Sequence, residues 1–482
     1  MPGLRRRRER GALAIILHTH MPYVEGFGTW PFGEEWLWEA IVGSYLPVLE
    51  LLDRGAALTL SLTPVLCDQL EAPRVAERFR AFVCDVRGRT HAEDAAGLRA
   101  AGHDQLAGEL ERAHGDYERA LESLQARGGD LLAGFAAHAQ WTSSATHAVL
   151  ALLATDAGAR LQVDSGVAAH RARFGQAWAG GFWLPECAYA PWLAPILREA
   201  GARRTCVELT GRFGAGAGEH LQPWLSETGL VLVPIDRATI ELVWSDAGYP
   251  AGGVYRDYHH HTVHHHNPWS NDGRAYDHDA ALAMARRHAA DFVARTLARL
   301  DAVAGAREGM APGGPLVVCA LDTELLGHWW YEGVAWLEAV LDECARQDLA
   351  LVHLDEAPQL GDPTPLGERV DEGASSWGTA GDLSTWSGPA VADMAFVARA
   401  AELALIGAGE HAGSAAAREL MALQASDWAF MVARGLAVPY ARERFAGHRA
   451  RFERALEGDH QADVAELRNL AIHARPRRLR AP

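Results

Sequence analysis

Short apolar runs alternate along the chain with longer amphipathic stretches. The runs Leu13–Leu17, Ala57–Leu62, Leu131–Ala137, Gly181–Leu184, Leu230–Ile235, Leu316–Leu321 and Ala350–Leu354 predict strands. Glu35–Leu52, Ala92–Ala126, His278–Val303 and Trp336–Arg346 carry apolar residues three and four positions apart, which predicts helices. Apolar strands alternating with helices predict an α/β fold, a mostly parallel sheet or barrel clothed in helices. Ala92–Ala126 reads as a helical excursion from it. From about Val391 onward the strand pattern stops, and Met394–Ile406, Ala415–Arg434 and Pro439–Leu456 predict a helical C-terminal unit. Asp371–Pro389, rich in Gly, Ser and Trp, reads as the joining loop.

Composition narrows the function. The chain has 482 residues, enough for two to three structural units. Its formal net charge of −17 argues against nucleic acid or an anionic membrane as partner, because both need a basic face. The six cysteines lack CxxC spacing, which points to free thiols in a reducing, cytoplasmic setting. Arg5–Arg8 before Ala12–Leu17 resembles a leader, but the apolar run is short and stops at His18, so a buried first strand is expected.

Candidate chemistry gathers where the runs end. GFWLPECA at Gly181–Ala188 presents Glu186, and LDTELLGHWW at Leu321–Trp330 presents Asp322. In α/β barrels the reacting groups sit where strands give way to loops. Two carboxyl groups among indoles suit cleavage of a glycosidic bond, with aromatic faces stacking on sugar rings. Retention of configuration would require the two carboxyls about 5–6 Å apart. His18 and His20 alternate around Thr19 and point one way from a strand end. The His-rich stretch Tyr258–Trp269, YHHHTVHHHNPW, lacks converging ligands, so no metal and a solvated loop are expected. GRFGAGAG at Gly211–Gly218 lacks the P-loop lysine and reads as a flexible loop.

Taken in order, eight segments resemble glycoside hydrolase family 57, and in particular its 1,4-α-glucan branching enzymes. They are LHTHMPYV at Leu17–Val24, EEWLWEAI at Glu34–Ile41, SLTPVLCDQL at Ser61–Leu70 and FGQAWAGGFWLPECAY at Phe174–Tyr189. VWSDAGYP at Val243–Pro250, LDTELLGHWWYEG at Leu321–Gly333, SSWGTAGDLSTW at Ser375–Trp386 and QASDWAF at Gln424–Phe430 complete the set. The resemblance implies a distorted (β/α)7 barrel with inserted helices and a helical C-terminal domain. Its divisions would be a catalytic barrel over residues 1–388, with a helical insertion at about 72–128, and a helical unit over 389–482.

It also implies roles. Glu186 matches the nucleophile and Asp322 the general acid/base. His18 and His20 match histidines lining the site, and Trp377 and Trp386 match tryptophans that contact glucan. Trp30, His147, Trp183, Tyr249, Trp269, His328, Trp329 and Asp427 are substrate-binding candidates from their motif neighbourhood. Burial beside Trp329 and Trp330 is expected to raise the Asp322 pKa, while imidazole donors keep Glu186 ionised. No cofactor or metal is implied. The partner would be an α-1,4-glucan, and the oligomeric state stays open.

One region departs from the family pattern. Glu208–Pro250 is shorter, and the stretch after Tyr255 becomes the His-rich segment, where the family carries a mobile loop favouring transfer over hydrolysis. The wording WPFGEEWL at Trp30–Leu37 is similar to relatives of actinobacterial type, some linked to specialised polysaccharides, which leaves the natural acceptor open. An α-amylase or 4-α-glucanotransferase shares the chemistry. A metal-dependent polysaccharide deacetylase would use the histidines, and a silent glucan-binding protein would keep only the tryptophans.

Overall fold

The computed structural model describes residues 11–28, 32–304, 314–356, 362–367, 372–409, 413–458 and 467–480. Trp30 and the Arg5–Arg8 run lie outside them.

The first strand, β1 (Ala12–Thr19), is buried along its whole length, as a continuous apolar run sandwiched between layers must be. Around it stand β2 (Thr59–Leu62), β3 (Ala139–Ser143), β4 (Gly181–Trp183), β5 (Arg204–Val207), β6 (Trp224–Leu225), β7 (Val231–Pro234), β8 (Leu316–Asp322), β9 (Ala350–Leu351) and β10 (Thr364–Pro365). The sheet order β10-β6-β7-β5-β4-β3-β2-β1-β8 holds a parallel run from β7 through β5, β4, β3, β2 and β1 to β8. Just past β7, the Asp236 N–H donates to the Val318 carbonyl of β8 over 2.8 Å, which ties the two ends of that run together. At the other end of β7, β6 pairs antiparallel and flares outward with β10. The seven parallel strands therefore curl into an incomplete, split barrel, as the resemblance implies.

One strand expectation changes, and strands appear that the apolar runs did not predict. Leu131–Phe135 is a short helix, because the Asp130 side chain accepts the Ala133 N–H and caps it. The strand follows at β3. The chain also forms β5, whose polar opening, Arg204–Thr205, conceals it from an apolar-run reading. Two-residue strands such as β6 and β10 carry no periodicity to detect.

The excursion between β2 and β3 is a helical hairpin, Gly88–Ala100 and Asp104–Ala126, broken at Gly102 with φ 80°. Helix Glu34–Ala40 continues through a π-helical turn, Ile41–Tyr45, into Leu46–Asp53. That turn meets the chain leaving β8: a Cβ on Gly327, φ 99°, would lie 1.8 Å from the Gly43 carbonyl oxygen. Only glycine permits the approach.

C-terminal helices Ala392–Gly407, Ser414–Leu423, Ser426–Arg434 and Val438–Leu456 pack beside the barrel mouth. They are stitched to the segment after β3. Thr146 Oγ1 donates to the Met421 carbonyl, Gln162 Nε2 donates to Gln424, and Ser426 N–H donates to the His147 carbonyl. The start of helix Ser426–Arg434 is thereby held over the strand ends.

Candidate active site

Parallel register aligns the C-terminal ends of three strands. Ser61 of β2 lies opposite His18 of β1, and His18 lies opposite Asp322 of β8. Facing residues of neighbouring strands project to the same side, so the three share one layer at the barrel mouth. Glu186 arrives from β4 differently. The strand stops at Pro185, and Glu186 and Cys187 both take left-handed backbone conformations, with φ 61° and 50°. Non-glycine residues there each cost about 1 kcal/mol or more, a strain that accumulates where a side chain must be aimed. The next residues zip against the loop before the C-terminal helices, through paired backbone hydrogen bonds of 2.9 Å between Tyr189 and Ser375.

That zipper delivers Trp377. Its indole N–H donates to Glu186 Oε2 over 3.1 Å, and its backbone N–H donates to the Glu186 carbonyl. Trp377 thus holds the carboxylate with its ring edge. Trp386, expected as a second sugar-contacting ring, is 3 % exposed and packs with Val149, Ala188 and the partly buried Trp377. In this arrangement it supports Trp377 from within the core. Trp183 is fully buried and stacks on His18 at 4.9 Å, forming the floor.

The other oxygen of Glu186 ends a hydrogen-bonded chain. Ser426 Oγ donates to Glu186 Oε1 over 2.9 Å. His147 Nδ1 lies 2.8 Å from that hydroxyl, His147 Nε2 lies 2.9 Å from His18 Nε2, and His18 Nδ1 lies 3.2 Å from Ser61 Oγ. Burial holds His18 and His147 well below the ordinary histidine pKa, reinforced by the charge of His20, so both are neutral. A neutral imidazole has one donor and one acceptor. Because Ser426 gives its proton to Glu186, the only consistent direction runs Ser61 to His18 to His147 to Ser426 to Glu186. Every proton points toward the carboxylate, and such bonds polarise one another.

His20 behaves differently. Burial lowers its pKa, but Asp427, 2.8 Å from Nε2, together with Glu324 and Glu186 outweighs that and the net shift is upward. Its Nδ1 meets Thr63 Oγ1 at 3.2 Å. His20, His147 and Asp427 bring potential ligand atoms within 4.8 Å of one another, the only such grouping found among the described residues. Yet both nitrogens of each imidazole already have partners, and a cation there would have to break them.

Glu186 is raised above the usual carboxylate range by burial, opposed by the Trp377 and Ser426 donors and by the charge of His20. Here the expectation is corrected: indole and hydroxyl, not imidazole, donate to it. Asp322 is raised well above its ordinary value by burial, then by the charges of Glu324 and Glu186. Burial is the expected cause; the neighbouring carboxylates add to it. Glu324 itself is pushed up to about 7 by burial and accepts the His20 backbone N–H. One acid held neutral beside a more readily ionised partner is the division that acid-assisted glycoside cleavage uses.

Other candidates sit elsewhere. Tyr249 gives its hydroxyl proton to Asp291 and stacks on His288, within the core. Trp269 is covered by His260 at 3.9 Å. Trp329 is 40 % exposed and, with His328, lines a cavity beside the inserted helices. The His-rich segment is anchored more firmly than a solvated loop: His264 bonds Asp94 at 2.7 Å, and the buried His266 ring lies tilted against His91, centroids 3.7 Å apart. The GRFGAGAG stretch begins within the short helix Thr210–Phe213, with Phe213 stacked on Trp224. Sequence reasoning missed Ser426, Glu324 and Ser61. The first two neighbour Asp427 and Asp322 inside the quoted motifs, which was the available signal.

Comparison with known proteins decides the family. The chain is 31% identical over 497 residues to a probable 1,4-alpha-glucan branching enzyme of Mycobacterium tuberculosis, covering 90% of this chain and 89% of that one. The chain belongs to glycosyl hydrolase family 57. That family's model matches residues 141–365, and the model for the 1,4-alpha-glucan branching enzyme C-terminal region matches residues 390–473. A 1,4-alpha-glucan branching enzyme of Thermococcus kodakarensis is 29% identical, covering 92% of this chain and 73% of its own. Among solved structures, the family 57 branching enzyme of Pyrococcus horikoshii superposes with a TM-score of 0.87 at 28% identity, covering 98% of this chain and 97% of that one. The family 57 fold thus accounts for the split barrel and the helices behind its mouth alike.

Proposed function

We propose that this family 57 protein is a 1,4-α-glucan branching enzyme, a retaining transglycosylase that cleaves α-1,4 bonds and forms α-1,6 branches. The observation that carries the chemistry is the pairing of a hydrogen-bonded Glu186 with a proton-retaining Asp322 at one barrel mouth. Glu186 attacks the anomeric carbon while Asp322 protonates the departing oxygen, giving a covalent glycosyl-enzyme. A glucan 6-hydroxyl, deprotonated by Asp322, then displaces Glu186 and restores the acid. His20, its pKa raised beside Asp427, favours the ionised nucleophile. The neutral His18 and His147 orient it through Ser426.

The branching relatives on both sides of residue 388 support a division there into barrel, with its insertion at 72–128, and helical unit. The substrate is an α-1,4-glucan, with a glycogen-like polymer as acceptor. A cytoplasmic setting fits the six free cysteines. Among the described residues no helix is long and apolar enough to cross a membrane. Incubation with amylose, followed by proton NMR, tests the assignment: α-1,6 signals should grow while α-1,4 signals decline. Reducing ends without new α-1,6 linkages would make the protein an amylase.

A further inference from the structure

A cavity of about 590 Å³ lies between the helical hairpin and the barrel, and neither Glu186, Asp322 nor the residues bonded to Glu186 line it. Its walls come from four places far apart in sequence. Helix Glu34–Ala40 contributes Glu35, the hairpin contributes Tyr117, and Tyr258 and Trp329 close one end. The Trp329 indole leans on Tyr258, ring centroids 4.5 Å apart, and remains 40 % exposed. A half-open indole braced by a second ring is a ready platform for the apolar face of a sugar.

Polar groups on the walls argue against an ionic occupant. Arg87, on the wall, is bonded to both Glu35 and Glu39, so its charge is already met. Neither a free anion nor a free cation would find an unmatched opposite charge at that pair. Hydroxyl partners are another matter. Glu35 is 5 % exposed, only its Oε1 is engaged by Arg87, and its Oε2 is buried without a partner. A buried carboxyl oxygen without a partner costs free energy that a hydroxyl would recover. Burial also pushes Glu35 up to about 8, so at neutral pH it carries a proton to donate. The volume suits a few sugar rings, within the range of ordinary small-ligand pockets.

We propose that this cavity is a second α-glucan-binding site, holding a two- or three-residue stretch of chain away from the bond being exchanged. The proposal rests on the branching reading for the identity of its ligand. Its use follows from the chemistry of a polymer substrate: a chain held at two places meets the reacting site at raised effective concentration. Short oligosaccharides, unable to span both, would gain nothing.

The test is a calorimetric titration of maltotriose into the cleavage-defective Glu186→Gln protein, alone and with the groove wall altered. Ala335→Trp places a bulky ring into the cavity from helix Gly333–Arg346. It should abolish one class of binding site and keep the other, with an unchanged melting temperature showing that the protein folds. Trp329→Ala, which removes the platform without adding bulk, should weaken the same class about tenfold. Identical isotherms for the parent and both variants would overturn the proposal. Branching is read separately: an unaltered protein that makes no α-1,6 linkage, yet loses a maltotriose site with Ala335→Trp, would refute the branching reading and uphold the cavity.

Discussion

Ser426, from the first turn of a C-terminal helix, donates its hydroxyl proton to Glu186 Oε1 over 2.9 Å. The two residues are 240 positions apart, and their contact brings the helical unit into the candidate active site at the barrel mouth. The Glu186 carboxylate is therefore set by two partners from beyond the last barrel strand, Ser426 on one oxygen and Trp377 on the other.

Removing that hydroxyl should show in the pH profile. Ser426→Ala deletes a donor to the ionised form, so the Glu186 pKa rises further and the acid limb of kcat/KM moves to higher pH. A hydrogen bond to a charged group contributes about 1.5–3 kcal/mol, so activity at the optimum should fall roughly 10- to 100-fold. An unmoved acid limb would leave Ser426 with a merely structural role.

Glu324→Gln acts on the other limb. In the proposed mechanism Asp322 must hold its proton, and a neighbouring anion helps it do so. Without the Glu324 charge, the Asp322 pKa falls and the alkaline limb shifts to lower pH, while the acid limb moves little. A titration of initial rate from acid to alkaline pH distinguishes the two shifts.

Glu186→Gln should eliminate turnover while preserving the fold and glucan binding, because the amide keeps the shape but cannot attack. Residual turnover in a clean preparation, beyond that of the contaminating wild type, would mean another nucleophile.

Trp386→Ala separates a core role from a substrate role. With the ring 3 % exposed, its loss should cost about 3–5 kcal/mol of stability through the cavity it leaves. Branching and hydrolysis should then decline together, read by differential scanning calorimetry beside both assays. Loss of branching alone at unchanged stability would return Trp386 to the acceptor side.

Chelation is the control for the histidines. Activity should survive exhaustive EDTA treatment, because the imidazole nitrogens of His20 and His147 are spent on Thr63, Asp427, His18 and Ser426. Loss of activity with recovery on added zinc would favour the deacetylase reading.

The sequence by itself determined the alternation of buried strands and helices, the helical character of the described residues beyond about Val391, and the motifs that carry Glu186 and Asp322. These are local properties: apolar runs must be covered, and carboxyls at strand ends are legible as such. It did not determine which aromatic rings face a cleft. Trp377, Trp386 and Trp329 look alike as letters, but one donates to Glu186, one is core and one lines a separate cavity. Nor could spacing reveal the proton order from Ser61 to Glu186, which depends on four side chains brought together from β2, β1, the turn after β3 and a C-terminal helix. Burial and hydrogen-bond direction are properties of the assembled molecule. Only the closed barrel, with its helices held over the mouth, gives the two carboxyls different environments and hence different tasks.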